Sequence, residues 1–278
     1  MQIKPIVLLV IGPERNWRGM EQSSVEERMK WYEVFMHQLR KYCSTLPVLV
    51  INNFKNKPTP EYDYVTIISG HLRLEHSPSL DIGIKYLFEN TDYNTVIFMD
   101  ADCIIFGNQW YHHGIKAIED YKCVGFHVHK LWLSEVYVEH TSNLIFWNLE
   151  YIRDKPMQAY DRLRGSEYDV IHQNLMVFQA ILDNKETTDE GKQIQLNRYK
   201  YLYDTGQRSI VLAKKDKVFY HVINSKAHDF IHLSHARLYA PDHFTILNRA
   251  KIGWKRTAIH PVPIEYGQRY LSLMKELF

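Results

Sequence analysis

Three short apolar runs constrain this chain more than any other feature. Pro5–Ile11, Leu46–Ile51 and Thr95–Met99 carry no charged side chain, and Gly, Pro, Asn or Asp lie beside each. Runs of this length bounded by turn residues read as strands, because a buried helix needs more residues to span a core. They show no polar alternation, so both faces must be covered, which is the mark of strands in a mainly parallel sheet. Asp63–Ile68 and Cys103–Phe106 read as further strands. Between the strands the period changes. Over Ser24–Tyr42, the residues Val25, Met29, Tyr32, Val34, Phe35, Met36 and Leu39 recur near the helical repeat. Ser23 or Ser24 is placed to cap that helix, with Glu26 and Glu27 in its first turn. Ser79–Glu89 predicts a second helix, capped by Ser77 or Ser79, with Pro78 near its first turn. This strand–helix–strand rhythm predicts an α/β fold: a mainly parallel central sheet flanked by helices.

The second half is less regular. Cys123–His129 and Asn143–Trp147 read as strands, Val170–Leu182 as a helix and Lys185–Lys192 as a polar loop. Arg208–Ala213 and Val218–Ile223 read as a hairpin across Lys214–Lys217, and Tyr266–Phe278 as a terminal helix. No repeat and no low-complexity linker divides the 278 residues, so one domain is expected over 1–278. Charge and cysteine usage narrow the function. Lys plus Arg is 34 and Asp plus Glu is 32, a net charge of +2 that disfavours a polyanion coat. Cys43, Cys103 and Cys123 are odd in number and widely spaced, so they form neither a zinc pattern nor a disulfide framework. Free thiols in a reducing compartment, the cytoplasm, are expected. The apolar run Ile6–Ile11 falls short of a signal-peptide core and of the ~18 residues that span a bilayer.

The chemistry concentrates in one segment. The apolar strand Thr95–Met99 runs into Asp100-Ala101-Asp102 and then into the apolar Cys103–Phe106. Two carboxylates between buried strands are expensive without a partner. Open α/β sheets bind ligands outside the carboxyl ends of their strands. An acidic pair there offers hard oxygen ligands on one small arc, suited to Mn²⁺ or Mg²⁺ and, through the cation, to a diphosphate. Asp102 is expected to face an open pocket. No Walker-type loop and no GxGxxG follows the first strand, which disfavours a P-loop NTPase or a dinucleotide dehydrogenase.

On these residues the sequence resembles the GT-A class of nucleotide-sugar-dependent glycosyltransferases, of the DxD type. Asp100-Ala101-Asp102 is the sharp motif. Pro5–Gly12 resembles the first strand of that class, after which the nucleotide base is held. Leu80–Phe88 is similar to the helix before the DxD strand, and Asn143–Asn148 to the later strand lining the acceptor side. Glu167–Asn174 is similar to the acidic helix start common in the class, and His228–His235 to the segment that places a metal-binding His. The resemblance implies a Rossmann-like fold with a nucleotide-sugar-binding half over 1–106. A smaller acceptor-binding half over 107–278 would end in the C-terminal helix.

It also implies roles. Asp102 would be the main metal ligand, and Asp100 would touch the ribose or reach the metal through water. One of His228, His232 and His235 would complete the site, with His232 preferred because it follows the apolar Phe230-Ile231 pair. Asp169 is the first choice for the base that takes the acceptor's proton in an inverting enzyme, and Glu167 the second; the stereochemistry is left open. Arg15 and Arg18 after the first strand, with Arg73 and His76 before the second helix, would face the donor phosphates, and Trp17 would stack on a base or sugar. The acceptor would be a glycan or, given the basic Asn248–Arg256 patch with its Trp254, a hydroxymethylated DNA base. A protein of the same fold that binds sugar or nucleic acid without chemistry is the alternative. A nucleotidyltransferase is a poorer match, because Gly12-Pro13-Glu14-Arg15 lacks the Gly-rich basic loop of that class.

Overall fold

A computed structural model describes residues 2–12, 25–54, 58, 61–69, 76–126, 144–155, 183, 188–191, 207–222 and 229–232. In chain order the elements are β1 (Pro5–Ile11), α1 (Val25–Tyr42), β2 (Val48–Asn52), β3 (Val65–Ser69), α2 (His76–Asn90), β4 (Thr95–Asp100) and β5 (Cys103–Ile105). They are followed by α3 (Gln109–Ile118), β6 (Cys123–Gly125), β7 (Leu144–Asn148), α4 (Leu149–Ile152), α5 (Gln207–Lys215), β8 (Phe219–His221) and β9 (Phe230–His232). Seven strands form one sheet in the order β3-β2-β1-β4-β7-β6-β8. β7 runs antiparallel to both neighbours, and the other pairs are parallel. β5 and β9 form a separate antiparallel ribbon.

The unbroken apolar character of β1 now has its reason. Val7, Leu9 and Ile11 pack on one face with Tyr32, Phe35, Met36 and Leu39 of α1 and Trp110 of α3. Ile6, Leu8 and Val10 pack on the other with Leu80, Ile84 and Leu87 of α2. Each such side chain, fully buried, stabilises the fold by about 1.5–3 kcal/mol, so a charge anywhere on β1 would be costly. A mainly parallel sheet with helices on both faces is the α/β architecture that the GT-A resemblance implies.

Some boundaries differ from expectation, for local reasons. α2 begins at His76, so Ser77 and Ser79 lie inside the helix instead of capping it. Ser79 instead accepts a buried hydrogen bond from Asn53 Nδ2 at 2.8 Å. β3 begins at Val65, and Asp63 and Tyr64 form the turn before it. The expected hairpin over Arg208–Ile223 is corrected to a helix followed by a strand. α5 buries Ile210 and Ala213, three residues apart, against the α2 side of the sheet. Lys214 and Lys215 sit in its last turn, where cations suit the carbonyl end. Lys217 at φ 58 turns the chain into β8, which pairs with β6 and not with the preceding segment. Helices α3 and α4 were not anticipated. α3 presents Trp110, Gly114 and Ile118 as one buried stripe. α4 is capped by Asn148, whose Oδ1 accepts from Tyr151 N–H at 3.0 Å. The Val170–Leu182 and Tyr266–Phe278 helices lie outside the described residues.

Candidate functional site

β4 lies beside β1 in parallel, with Val10 aligned to Asp100, so the acidic pair stands at the carboxyl edge of the sheet centre. Asp100 is the last residue of β4 and Asp102 lies in the turn before β5. Both are buried, at 8% and 2% exposure. Asp102, expected to face an open pocket, is instead almost wholly buried. The two charges bear on one point. Burial first, and then the fields of Asp100 and of Asp102, push the Cys103 thiol well above its ordinary range.

The β5–β9 ribbon brings a distant segment to this turn. Cys103 is aligned with His232, Ile104 with Ile231 and Ile105 with Phe230. The backbone of His232 thus stands opposite the residue that follows Asp102. His228 and His235, the other candidates in that segment, lie outside the described residues. α1 holds β5 from the opposite side: buried Gln38 accepts from Ile105 N–H through Oε1 at 2.6 Å.

The neighbouring strand ends supply further polar groups. Gly12 closes β1 at φ 85, a left-handed conformation that favours glycine. A Cβ on Gly12 would lie 3.1 Å from both the carbonyl carbon and Cβ of Asn53. Asn53 N–H donates to Ile11 O at 2.9 Å, and Asn52 Oδ1 accepts from Phe54 N–H at 3.0 Å. Asn53 is fully buried, and its Oδ1 has no hydrogen-bond partner among the described residues. Sequence reasoning missed Gln38, Asn52, Asn53, Ser79 and Asp229. The two asparagines ending an apolar strand were the one available signal.

Other candidates are not brought together here. His76 opens α2, the helix whose Ser79 reaches Asn53. Arg15, Arg18, Trp17, Arg73, Glu167, Asp169 and the 248–256 patch lie outside the described residues. Among the described residues no group of three or more His, Cys, Asp and Glu side chains could hold a metal ion. The donors present, two carboxylates on one strand end, are hard oxygen ligands of the type that fits Mn²⁺ or Mg²⁺. None of the three cysteines forms a disulfide. No helix among the described residues is long and apolar enough to cross a membrane.

No protein-family model matches the sequence, and no curated protein matches it. Several solved structures share part of its arrangement at low identity. HddC from Yersinia pseudotuberculosis, complexed with GMP-PN, is 13% identical with a TM-score of 0.40, over 55% of this chain and 80% of that one. TarS 1–349 from S. aureus is 10% identical with a TM-score of 0.40, over 71% of this chain and 70% of that one. The galactosyltransferase LgtC, in complex with donor and acceptor sugar analogues, is 10% identical with a TM-score of 0.36, over 79% of this chain and 73% of that one. These are likenesses of fold, and the ligands in those complexes belong to those proteins.

Proposed function

We propose that this chain is a metal-dependent glycosyltransferase, moving a sugar from a nucleoside-diphosphate sugar to a hydroxyl acceptor. One observation carries the reading: two buried carboxylates close the central strand at its carboxyl edge, and β9 aligns His232 with the residue next to them. Asp102 is the principal ligand in this reading, Asp100 meets the ribose or a metal-bound water, and His232 completes the set. A bound Mn²⁺ or Mg²⁺ supplies positive charge against the diphosphate as it leaves. The chain's own residues do the rest. Arg15, Arg18, Arg73 and His76 hold the donor's phosphates, and Asp169, or failing it Glu167, takes the acceptor's proton if the configuration is inverted. Residues 1–106 bind the nucleotide and 107–278 the acceptor, in one domain of a cytoplasmic enzyme.

The test is a hydrolysis and transfer screen across nucleotide sugars with Mn²⁺, run beside thermal unfolding. A nucleoside diphosphate should raise the melting temperature only with the cation present, as expected when both bind the native state together. Stabilisation that is indifferent to EDTA would remove the metal from the reading. Tight binding of a donor that is never hydrolysed or transferred would make the protein a binder and not an enzyme.

A further inference from the structure

We propose that Asp229 is a positioning residue: it fixes the register of β9 on β5 and so sets His232 opposite Cys103, beside the acidic turn. The inference rests on the metal-site reading above and concerns what makes that site possible. Among the described residues the ribbon has three residue pairs, and a two-stranded ribbon of that size is marginal on its own. A slip of one residue would bring a neighbour of His232 opposite Cys103 and exchange the faces of every β9 side chain. An anchor outside the ribbon would favour one register over its neighbours.

Asp229 directly precedes β9 and is held at both its backbone and its side chain by the loop that leaves β5. Its carbonyl accepts from Phe106 N–H at 2.6 Å, which continues the β5–β9 ladder by one rung. Its Oδ2 accepts from Gln109 N–H at 3.1 Å, at the first residue of α3. That N–H needs an acceptor from elsewhere, because the N-cap residue Asn108 makes no side-chain cap. A carboxylate is the favoured acceptor at this end of a helix. The loop itself is anchored: Gly107 O accepts from Nε1 of the fully buried Trp110 at 3.0 Å. Gly107 also lets the contact form, since a Cβ there would overlap the Asp229 carboxylate. One donor outside the ribbon, Gln109 N–H, and one steric gap at Gly107 thus receive the Asp229 side chain, and the chain direction then carries β9 along β5 to His232.

The experiment measures Mn²⁺ affinity of the full chain by titration calorimetry, with melting temperatures taken separately in EDTA. Asp229→Ala and His232→Ala should each weaken Mn²⁺ binding by about tenfold or more, the scale seen when a group that orients a metal ligand is lost. Asp229→Asn, which keeps an oxygen acceptor for Gln109 N–H, should restore most of the affinity. Gly107→Ala displaces the same carboxylate from the other side and should weaken binding alike, which keeps the test open if Asp229→Ala does not fold. Wild-type Mn²⁺ affinity in Asp229→Ala or Gly107→Ala, with only a lower melting temperature in EDTA, would make Asp229 merely structural and overturn the proposal while leaving the metal reading intact. Absence of Mn²⁺ binding in the wild type, or no effect of His232→Ala, would bring down the metal reading itself.

Discussion

Asp102 is 2% exposed and Asp100 8%, so the acidic pair is set into the strand ends and does not stand on a surface. Asp102→Asn keeps the shape and removes one charge. Its melting temperature in EDTA should therefore stay close to the wild-type value, while the Mn²⁺-dependent stabilisation by nucleoside diphosphate and any sugar transfer should be lost. A variant that retains either response would take Asp102 out of the metal site. Gly12 makes a different demand on the same edge. Its φ of 85 and the Asn53 atoms 3.1 Å from a would-be Cβ leave no comfortable place for alanine. Gly12→Ala should destabilise the protein by about 1–2 kcal/mol, read as a lower urea midpoint with an unchanged slope.

At the scale of elements, a side chain of α1 reaches across to β5. Gln38 lies 67 residues before the Ile105 N–H it accepts from, and both groups are buried. Gln38→Met keeps the length and removes the acceptor, leaving a buried donor unmade at a cost of about 1–3 kcal/mol. Amide exchange at Ile105 should accelerate more than exchange in β1, and equal protection at both would show that α1 does not hold β5. The same pair shows what can be read in the sequence and what cannot. β1, β2, β4 and α1 are legible because their signals are local: an unbroken apolar run, or a helical stripe. The acidic pair is legible for the same reason, since strand, carboxylates and turn are adjacent in the chain. The run Ile210-Val211-Leu212-Ala213 is local too, but four apolar residues fit strand and helix equally, and only packing against the α2 side decides for the helix. Gln38 and Asp229 left no local trace of their roles, because their partners lie 67 and 120 residues away. The β5–β9 alignment is likewise invisible until the chain has folded.

Over the whole molecule, burial sets an alkaline limit to stability. It is the main cause holding Cys103 and Cys123 well above the ordinary thiol range, Cys43 at about 11 and Tyr64 at about 12; Tyr32 is raised as well. These groups are neutral when protonated, and the unfolded chain ionises them near 9.0 for cysteine and 10.0 for tyrosine. Between those values and the raised native ones, the folded chain binds more protons than the unfolded chain, so stability must fall as pH rises. Below the unfolded values the contribution is complete and the pH dependence from these groups vanishes. Lys214 acts in the opposite sense: burial lowers its pKa, so just below 10.5 the unfolded chain binds more protons and stability rises with pH. Among the described residues one lysine is set against several thiols and phenols spread through both faces of the sheet, so their net slope is negative. Calorimetric melting temperatures in EDTA should be level from pH 7 to about 8.5 and then decline continuously toward pH 11. Cys43→Ala should flatten the part of that decline between pH 9 and 11, the window set by the shift of its own thiol. A melting temperature that holds constant from pH 8 to 10.5 would mean that these side chains are as accessible to hydroxide in the native protein as in the unfolded one, contrary to the packing of α1 and α3 over the sheet.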